Sequence, residues 1–167
     1  MHNTQQNLKT AFAGESQASR RYLYYAEKAD REGRPQVARL FRAASEAETV
    51  HARNHLAALQ GVGQTADNLK AAAAGEHYEF TLMYPPFIDQ AAGEDEPQAR
   101  RSFDLANQVE EIHHALFQEA LAAVSAGGVM PAGEYYVCQV CGNTVLGEAP
   151  EICPVCGASH TKFRKLE

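Results

Sequence analysis

Two halves of this chain carry the same set of potential metal ligands at nearly the same spacing. Each half has a lone glutamate and then, 33 or 34 positions later, a Glu-x-x-His pair. The first half supplies Glu15, Glu48 and His51, and the second supplies Glu76, Glu110 and His113. Residues three apart lie on one face of a helix, so each pair can bind one metal ion from one side. Two such sets facing each other would match the ligands of a four-helix bundle that binds two metals.

A fifth carboxylate, Glu79, lies three residues after Glu76 and is expected on the same helix face. Carboxylates together with two imidazoles suit iron or manganese better than copper or a structural zinc. Burying these carboxylates without compensation would cost more than a domain's total stability of about 5–15 kcal/mol. We therefore predict two divalent cations held by shared carboxylates. Such a pair can pass two electrons together, as the reduction of an O–O bond requires.

Apolar residues at helical spacing predict four helices that carry these ligands. We expect them over residues 4–31, 35–60, from 65 to the Pro85–Pro86 pair, and 96–125. The two prolines should distort or end the third helix, because proline lacks a backbone N–H and clashes with the preceding turn. Helical character is then expected to resume at Phe87. The ligands share their stripes with apolar residues, so we expect them to point inward.

The fourth helix offers two Glu-x-x-His pairs, and helical phase favours one of them. Glu110 and His113 continue the apolar stripe of Phe103, Ala106 and Phe117. Glu111 and His114 continue the polar stripe of Asp104, Asn107 and Gln118. We therefore predict that the first pair binds metal and that the second pair faces solvent.

Tyr22 and Tyr84 occupy near-equivalent positions after the lone glutamates of the two halves. Two interpretations stay open for them. They are either ordinary aromatic core residues or hydroxyls that orient a ligand carboxylate.

The four cysteines all lie after residue 137, in two C-x-x-C-G motifs separated by eleven residues. The motifs are Cys138-x-x-Cys141-Gly142 and Cys153-x-x-Cys156-Gly157. A glycine after the second cysteine permits the left-handed turn that points backbone N–H groups at sulfur. Four thiolates at this spacing predict a tetrahedral site, and on ligands alone either iron or zinc fits it. An iron that carries one electron is the better match for a neighbouring redox bundle.

Length and composition predict one helical domain with a small appendix that a metal must stabilise. We predict a bundle over residues 1–128, a linker over 129–133 and the cysteine domain over 134–167. The net charge of −6 argues against nucleic acid as a partner. No apolar run approaches the roughly 20 residues of a membrane span, and the N-terminus has no signal pattern. We therefore expect a cytosolic protein with no membrane partner and with reduced thiols.

With both ligand sets assigned, the sequence resembles the rubrerythrin family along its whole length. The resemblance implies an all-α, ferritin-like four-helix bundle followed by a small β-rich, rubredoxin-like domain. It implies two carboxylate-bridged irons in the bundle and one iron, or alternatively zinc, in the tail. The matching bundle positions are Glu15, Glu48, His51, Glu76, Glu79, Glu110 and His113, and the matching tail positions are Cys138, Cys141, Cys153 and Cys156.

Glu79 is the residue that separates this family from plainer ferritin-like proteins, since the first half has Ala18 at the matching place. In the family, this glutamate and the first histidine, here His51, exchange as ligands of one iron. Tyr22 and Tyr84 match the family's tyrosines beside the ligands. Asn143 is a departure, because an aromatic residue commonly follows the first C-x-x-C-G motif.

The resemblance implies a peroxidase that reduces hydrogen peroxide to water. Electrons would come from a rubredoxin or an NAD(P)H-dependent reductase and pass through the tail iron. A homodimer is expected, with helices exchanged between chains in some members. Two other interpretations stay open: a ferroxidase or iron-storage protein of the ferritin-like class, and a zinc-stabilised module without turnover.

Overall fold

The computed structural model describes residues 3–130 and 132–167, so Pro131, inside the predicted linker, lies outside the described residues. Its α-helices are α1 (Thr4–Arg31), α2 (Pro35–Ala58), α3 (Thr65–Tyr78), α4 (Tyr84–Gly93) and α5 (Pro97–Ser125). A π-helical turn, Glu79–Met83, joins α3 to α4 without a break. Because α3, the π turn and α4 are continuous, the described residues form four helical segments, as predicted. None of the described helices combines the length and apolar character that crossing a bilayer requires.

The first of two compact units ends at Gly63 and consists of α1 and α2. Gly33 adopts a φ of +70° after α1, and Pro35 opens α2, which is the order of glycine and proline that a tight helix–helix connection favours. The end of α1 packs on the start of α2 through Ala26, Ala29 and Ala38. Small side chains at these positions let the two helices approach closely.

A cluster of three hydroxyl groups joins α1 to α2 beside the predicted ligands Glu15 and Glu48. The Ser19 hydroxyl lies 3.2 Å from that of Ser45 and 2.9 Å from that of Thr49. The Ser45 hydroxyl donates to the Ser19 carbonyl at 2.9 Å. Because these polar groups pair with one another, burying them is tolerated and the sliding of one helix along the other is restricted. The cluster therefore fixes how Glu15 and Glu48 are aligned along the axes of the two helices.

The second compact unit begins at Gln64 and contains α3, α4, α5 and the cysteine domain. The expectation that helix returns at Phe87 is wrong: the distortion comes earlier, at Glu79, and α4 already starts at Tyr84. Pro85 and Pro86 are the second and third residues of α4 and so lie in its first turn, where proline is tolerated. The preceding π turn accommodates the interrupted hydrogen-bond ladder.

The cysteine domain is a three-stranded antiparallel sheet with strand order β2-β1-β3. The strands are β1 (Tyr135–Cys138), β2 (Thr144–Leu146) and β3 (Phe163–Lys165), and a 3₁₀ turn, His160–Lys162, precedes β3. The most buried residues of this domain are Cys138, Cys153 and Asn143, each no more than 2% exposed. Because its interior consists of ligands and one amide, a bound metal must supply much of its stability.

Candidate metal centres

The first compact unit brings together the ligand set predicted for the first half. One ligand atom each of Glu15, Glu48 and His51 lies within 4.8 Å of the others. Nδ1 of His51 is 2.9 Å from Oε2 of Glu48. Glu15 and Glu48 are half-buried, whereas His51 is exposed within the described chain.

The second unit repeats this geometry with the equivalent residues. Ligand atoms of Glu76, Glu110 and His113 again lie within 4.8 Å of one another. Nδ1 of His113 is 2.8 Å from Oε2 of Glu110, the same pair of atoms at nearly the same distance as in the first unit. The sequence repeat is therefore also a repeat of atomic arrangement.

The charges in the second set are arranged for a cation. Burial raises the pKa of Glu76, and the negative charge of Glu110 raises it further. The hydrogen bond to Glu110 raises the pKa of His113, although burial opposes this. Without metal, a proton must lie between Nδ1 and Oε2, because both atoms are otherwise acceptors. A divalent cation bound at this position would replace the proton and relieve the repulsion between the carboxylates, so the residues fit a metal.

Glu79 lies beside this set but outside its closest group of three. It is the first residue of the π turn. Burial raises the pKa of Glu79, and the charge of Glu110 raises it further. Burial also raises the pKa of the Tyr84 phenol, with the charge of Glu79 as the next cause. Glu79 therefore lies within electrostatic reach of both Glu110 and Tyr84.

The two tyrosines lie in similar aromatic surroundings in their separate units. Tyr22 contacts Tyr25 and Phe41, each at a ring-centroid distance of 6.2 Å. Tyr84 contacts Phe87 at 6.4 Å and Phe103 at 6.3 Å. Both rings are half-buried, so aromatic packing is present at both positions, and a role of the hydroxyls beside the ligands stays a prediction.

The polar stripe of α5 is less exposed than predicted. Glu111 is exposed as expected, but His114 is half-buried, and its Nδ1 is 2.8 Å from the Ala73 carbonyl of α3. His114 also packs against His77 and Phe80. Oδ1 of Asn107 is buried as well. The prediction of a solvent-facing His114 is wrong, because α5 packs against α3, the π turn and α4 and so buries more than one stripe.

Thr144 of the cysteine domain contacts the bundle ligand His113, and sequence reasoning missed it. Nε2 of His113 lies 2.9 Å from Oγ1 of Thr144. The Thr144 hydroxyl donates its only proton to the Gly142 carbonyl at 3.1 Å, so Oγ1 accepts from Nε2–H of the imidazole. With this proton on Nε2, Nδ1 is the nitrogen of the neutral imidazole that is available to a metal bound beside Glu110. The two residues are 31 positions apart, and no local pattern links them.

The four cysteine sulfurs form a compact group without disulfides. Sγ of Cys138 is 3.7 Å from Sγ of Cys156, and Sγ of Cys141 is 3.7 Å from Sγ of Cys153. Sulfurs around a tetrahedral metal with bonds of about 2.3 Å are roughly 3.8 Å apart, whereas disulfide sulfurs are about 2.05 Å apart. The spacing therefore fits four thiolates on one metal ion.

The glycines after both motifs adopt the predicted left-handed conformation, with φ of +88° at Gly142 and +74° at Gly157. The turns direct backbone N–H groups at sulfur. At Cys153 burial tends to raise the thiol pKa, but the N–H groups of Cys156 and Val155 outweigh burial and lower the pKa to about 7. Burial raises the pKa of Cys141. The surroundings of Cys153 therefore favour the thiolate.

The choice of register on α5 can be tested with Glu110→Gln. This change removes a negative charge and an oxygen ligand from the second set. We expect bundle iron to bind at least about 10–100-fold more weakly. Iron bound per chain, measured after competition with a chelator, gives the result. Glu111→Gln is the matched control and should change stability by no more than about 0.5 kcal/mol. If the control loses the bundle iron instead, α5 presents the other pair to the metals.

The role of Thr144 can be tested with Thr144→Val, which keeps the shape but removes the acceptor for Nε2–H of His113. Loss of such a partner typically costs about 10–100-fold in metal affinity or activity, so bundle iron should be retained less well against a chelator. Thr161→Val is the control, because the Thr161 hydroxyl contacts only Ser159 among the described hydrogen bonds. Tail iron should be unaffected in both variants. Equal bundle affinity in Thr144→Val and wild type would contradict this role.

Comparisons with known proteins agree with these two centres. The sequence model of the Rubrerythrin family matches residues 6–121, and that of the rubrerythrin rubredoxin-like domain matches residues 136–164. Rubrerythrin-2 of Clostridium acetobutylicum is 36% identical, with 94% of this chain and 93% of the relative covered. Rubrerythrin of Nitratidesulfovibrio vulgaris is 34% identical, with 98% and 94% covered.

Solved structures of nigerythrin resemble the whole chain. Its mixed-valence state matches with a TM-score of 0.57 and its fully reduced, all-ferrous state with a TM-score of 0.59. Both are 30% identical, and the match covers 99% of this chain and 88% of nigerythrin. The duplicated carboxylate–histidine sets are thus candidate di-iron ligands, and the four cysteines form a rubredoxin-like site. The chain belongs to the rubrerythrin family, as a ferritin-like di-iron protein with a C-terminal rubredoxin-like domain.

Proposed function

We propose that this protein is a peroxidase that reduces hydrogen peroxide to two molecules of water. The observation that carries the proposal is the hydrogen bond between His113 of the bundle and Thr144 of the cysteine domain. This contact joins the cysteine domain to a residue of the second ligand set within one compact unit, which supports a role of the cysteine domain in supplying electrons to the bundle. A storage protein has no need of such an electron-transfer domain beside its ligands.

In this proposal the protein binds two irons through its repeated carboxylate–histidine ligand sets. The ligands are Glu15, Glu48, His51, Glu76, Glu79, Glu110 and His113. A bound iron pair would supply the two electrons that reduction of an O–O bond requires, without release of a radical. Peroxide takes up two electrons and two protons and leaves as two waters.

Glu79 and Tyr84 control charge beside the second set. Because burial raises the pKa of the Glu79 carboxyl, a proton binds to it more readily than to an ordinary glutamate. The raised pKa of Tyr84 keeps the phenol protonated and able to donate a hydrogen bond. From the family resemblance, we assign Glu79 and His51 as alternating ligands of one iron, and Tyr22 and Tyr84 as supports of the ligand carboxylates.

An iron held by the four cysteines would accept electrons from a separate rubredoxin or NAD(P)H-dependent reductase. The contact between β2 and α5 would give such a centre a short path to the second ligand set. We further propose that the protein acts as a homodimer. Iron storage is the second candidate, and Glu79 and the cysteine domain both argue against it, since neither is needed to oxidise and deposit iron.

The role of Glu79 can be tested with Glu79→Ala. Six other bundle ligands remain, so the fold and most bound iron should be kept. Peroxide turnover should fall by about 10–100-fold, because the carboxylate that supports the oxidised iron is lost. Steady-state peroxide consumption and iron content are measured together, with Glu111→Ala as the control on an exposed glutamate. Full turnover by a fully loaded Glu79→Ala variant would disprove the role.

The two redox centres can be separated with Cys156→Ser. Removing one of four thiolates should abolish tail iron, its red absorbance and reductase-coupled turnover. Chemically reduced protein should still consume peroxide for one turnover at the bundle. Glu110→Gln is the reciprocal variant, which should keep the red absorbance and lose the single turnover. If a folded, bundle-loaded Cys156→Ser variant cannot perform that turnover, the assignment of peroxide chemistry to the bundle is wrong.

A further inference from the structure

Asn143 is a buried amide inside the tail metal site. It follows the first C-x-x-C-G motif and is only 2% exposed. Its Nδ2 lies 3.7 Å from Sγ of Cys153, within the range of an N–H···S hydrogen bond. The opposite orientation of the amide would place Oδ1 against a thiolate, two acceptors facing each other. The side chain therefore donates to this sulfur.

The two cysteine turns have the same backbone hydrogen bonds, but among the described hydrogen bonds only the first turn supplies a side-chain amide to a sulfur. In the first turn the N–H of Cys138 donates to the Asn143 carbonyl at 2.9 Å, and in the second the N–H of Cys153 donates to the Ala158 carbonyl at 2.7 Å. Asn143 and Ala158 thus occupy equivalent positions. Ala158 has no polar side chain, so the amide donor is present in one turn and lacking in the other. Cys153 receives a donor that the pseudo-symmetry of the site does not supply to Cys138.

A donor at sulfur acts differently on the two oxidation states of an iron bound by four thiolates. Reduction adds one electron, and therefore one negative charge, that is spread largely over iron and sulfur. An N–H dipole pointing at sulfur stabilises the more negative state more strongly. Asn143 is buried, so water does not screen this dipole. The bond must favour the reduced form.

We propose that Asn143 raises the reduction potential of the tail iron by donating its side-chain amide to Cys153. The proposal concerns the iron of the rubredoxin-like domain and does not depend on peroxide being the substrate. A higher potential makes the tail easier for a donor to reduce and decreases the driving force of its transfer to the bundle. Asn143 acts through the metal ligand Cys153, because its amide contacts the ligand sulfur and no substrate.

The first test compares Asn143→Leu with wild type. Leucine has nearly the same shape as asparagine but no N–H. Potentials are measured on the iron-loaded full chain by optical redox titration of the red ferric absorbance, which requires no turnover. We expect the midpoint potential to shift to a lower value. An unchanged or higher potential in the iron-loaded variant would overturn the proposal.

Gln139→Leu is the matched control. Gln139 is also an amide in the first cysteine turn, but its Nε2 donates to the Val137 carbonyl at 2.9 Å and contacts no sulfur in the described hydrogen bonds. Its loss should leave the potential at the wild-type value. An equal downward shift in both variants would attribute the effect to general loss of polarity in the turn and would also overturn the proposal.

A second measurement decides the matter if Asn143→Leu fails to bind iron. The wild-type full chain loaded with zinc is diamagnetic, so NMR can observe the side-chain amides directly. The Asn143 amide proton should be displaced downfield and should exchange with solvent more slowly than that of Gln139. Rapid exchange at the Gln139 rate, without displacement, would show that the bond to Cys153 does not exist.

Discussion

Repulsion between half-buried carboxylates is the constraint on which the rest of the helical structure depends. Burial raises the pKa of Glu76 and of Glu79, and the negative charge of Glu110 raises both further. Such a group is stable only if protons or cations neutralise it. Within the same unit, the hydrogen bond between His113 and Thr144 helps to hold this group in place. In the other unit, the hydroxyl cluster between α1 and α2 supports Glu15 and Glu48 in the same way. These carboxylates lower the stability of the metal-free protein, and the same carboxylates allow it to bind metal.

Helical periodicity predicted the rods well because it depends on spacing along one chain. The bounds of α1 and the start of α5 lie where apolar stripes, Gly33 and Pro97 place them. Ligand sets three residues apart were predictable for the same reason. The positive φ angles of Gly142 and Gly157 followed equally from local backbone sterics.

The features that sequence reasoning missed depend on contacts between distant segments. His114 is half-buried because α5 packs on several neighbours, and a single-stripe view of a helix cannot include that. Thr144 contacts His113 across 31 positions, and the amide of Asn143 reaches Cys153 across 10. In all three cases a polar side chain contacts a residue of another segment of the chain. The π turn was missed for a different reason, since its wider hydrogen-bond ring leaves no distinct apolar period.

That π turn also explains why the two halves of the chain differ in length. From Glu15 to Pro35 is 20 positions and from Glu76 to Pro97 is 21, whereas the distance from each proline to the next glutamate, Glu48 or Glu110, is 13 in both halves. The additional residue therefore falls in the helix that contains the π turn. The two halves are thus repeats that differ by one residue, which the helix accommodates as a π bulge without a shift of the loop that follows. The later ligands therefore stay in register, and the helix is wider at the turn that begins with the additional carboxylate, Glu79.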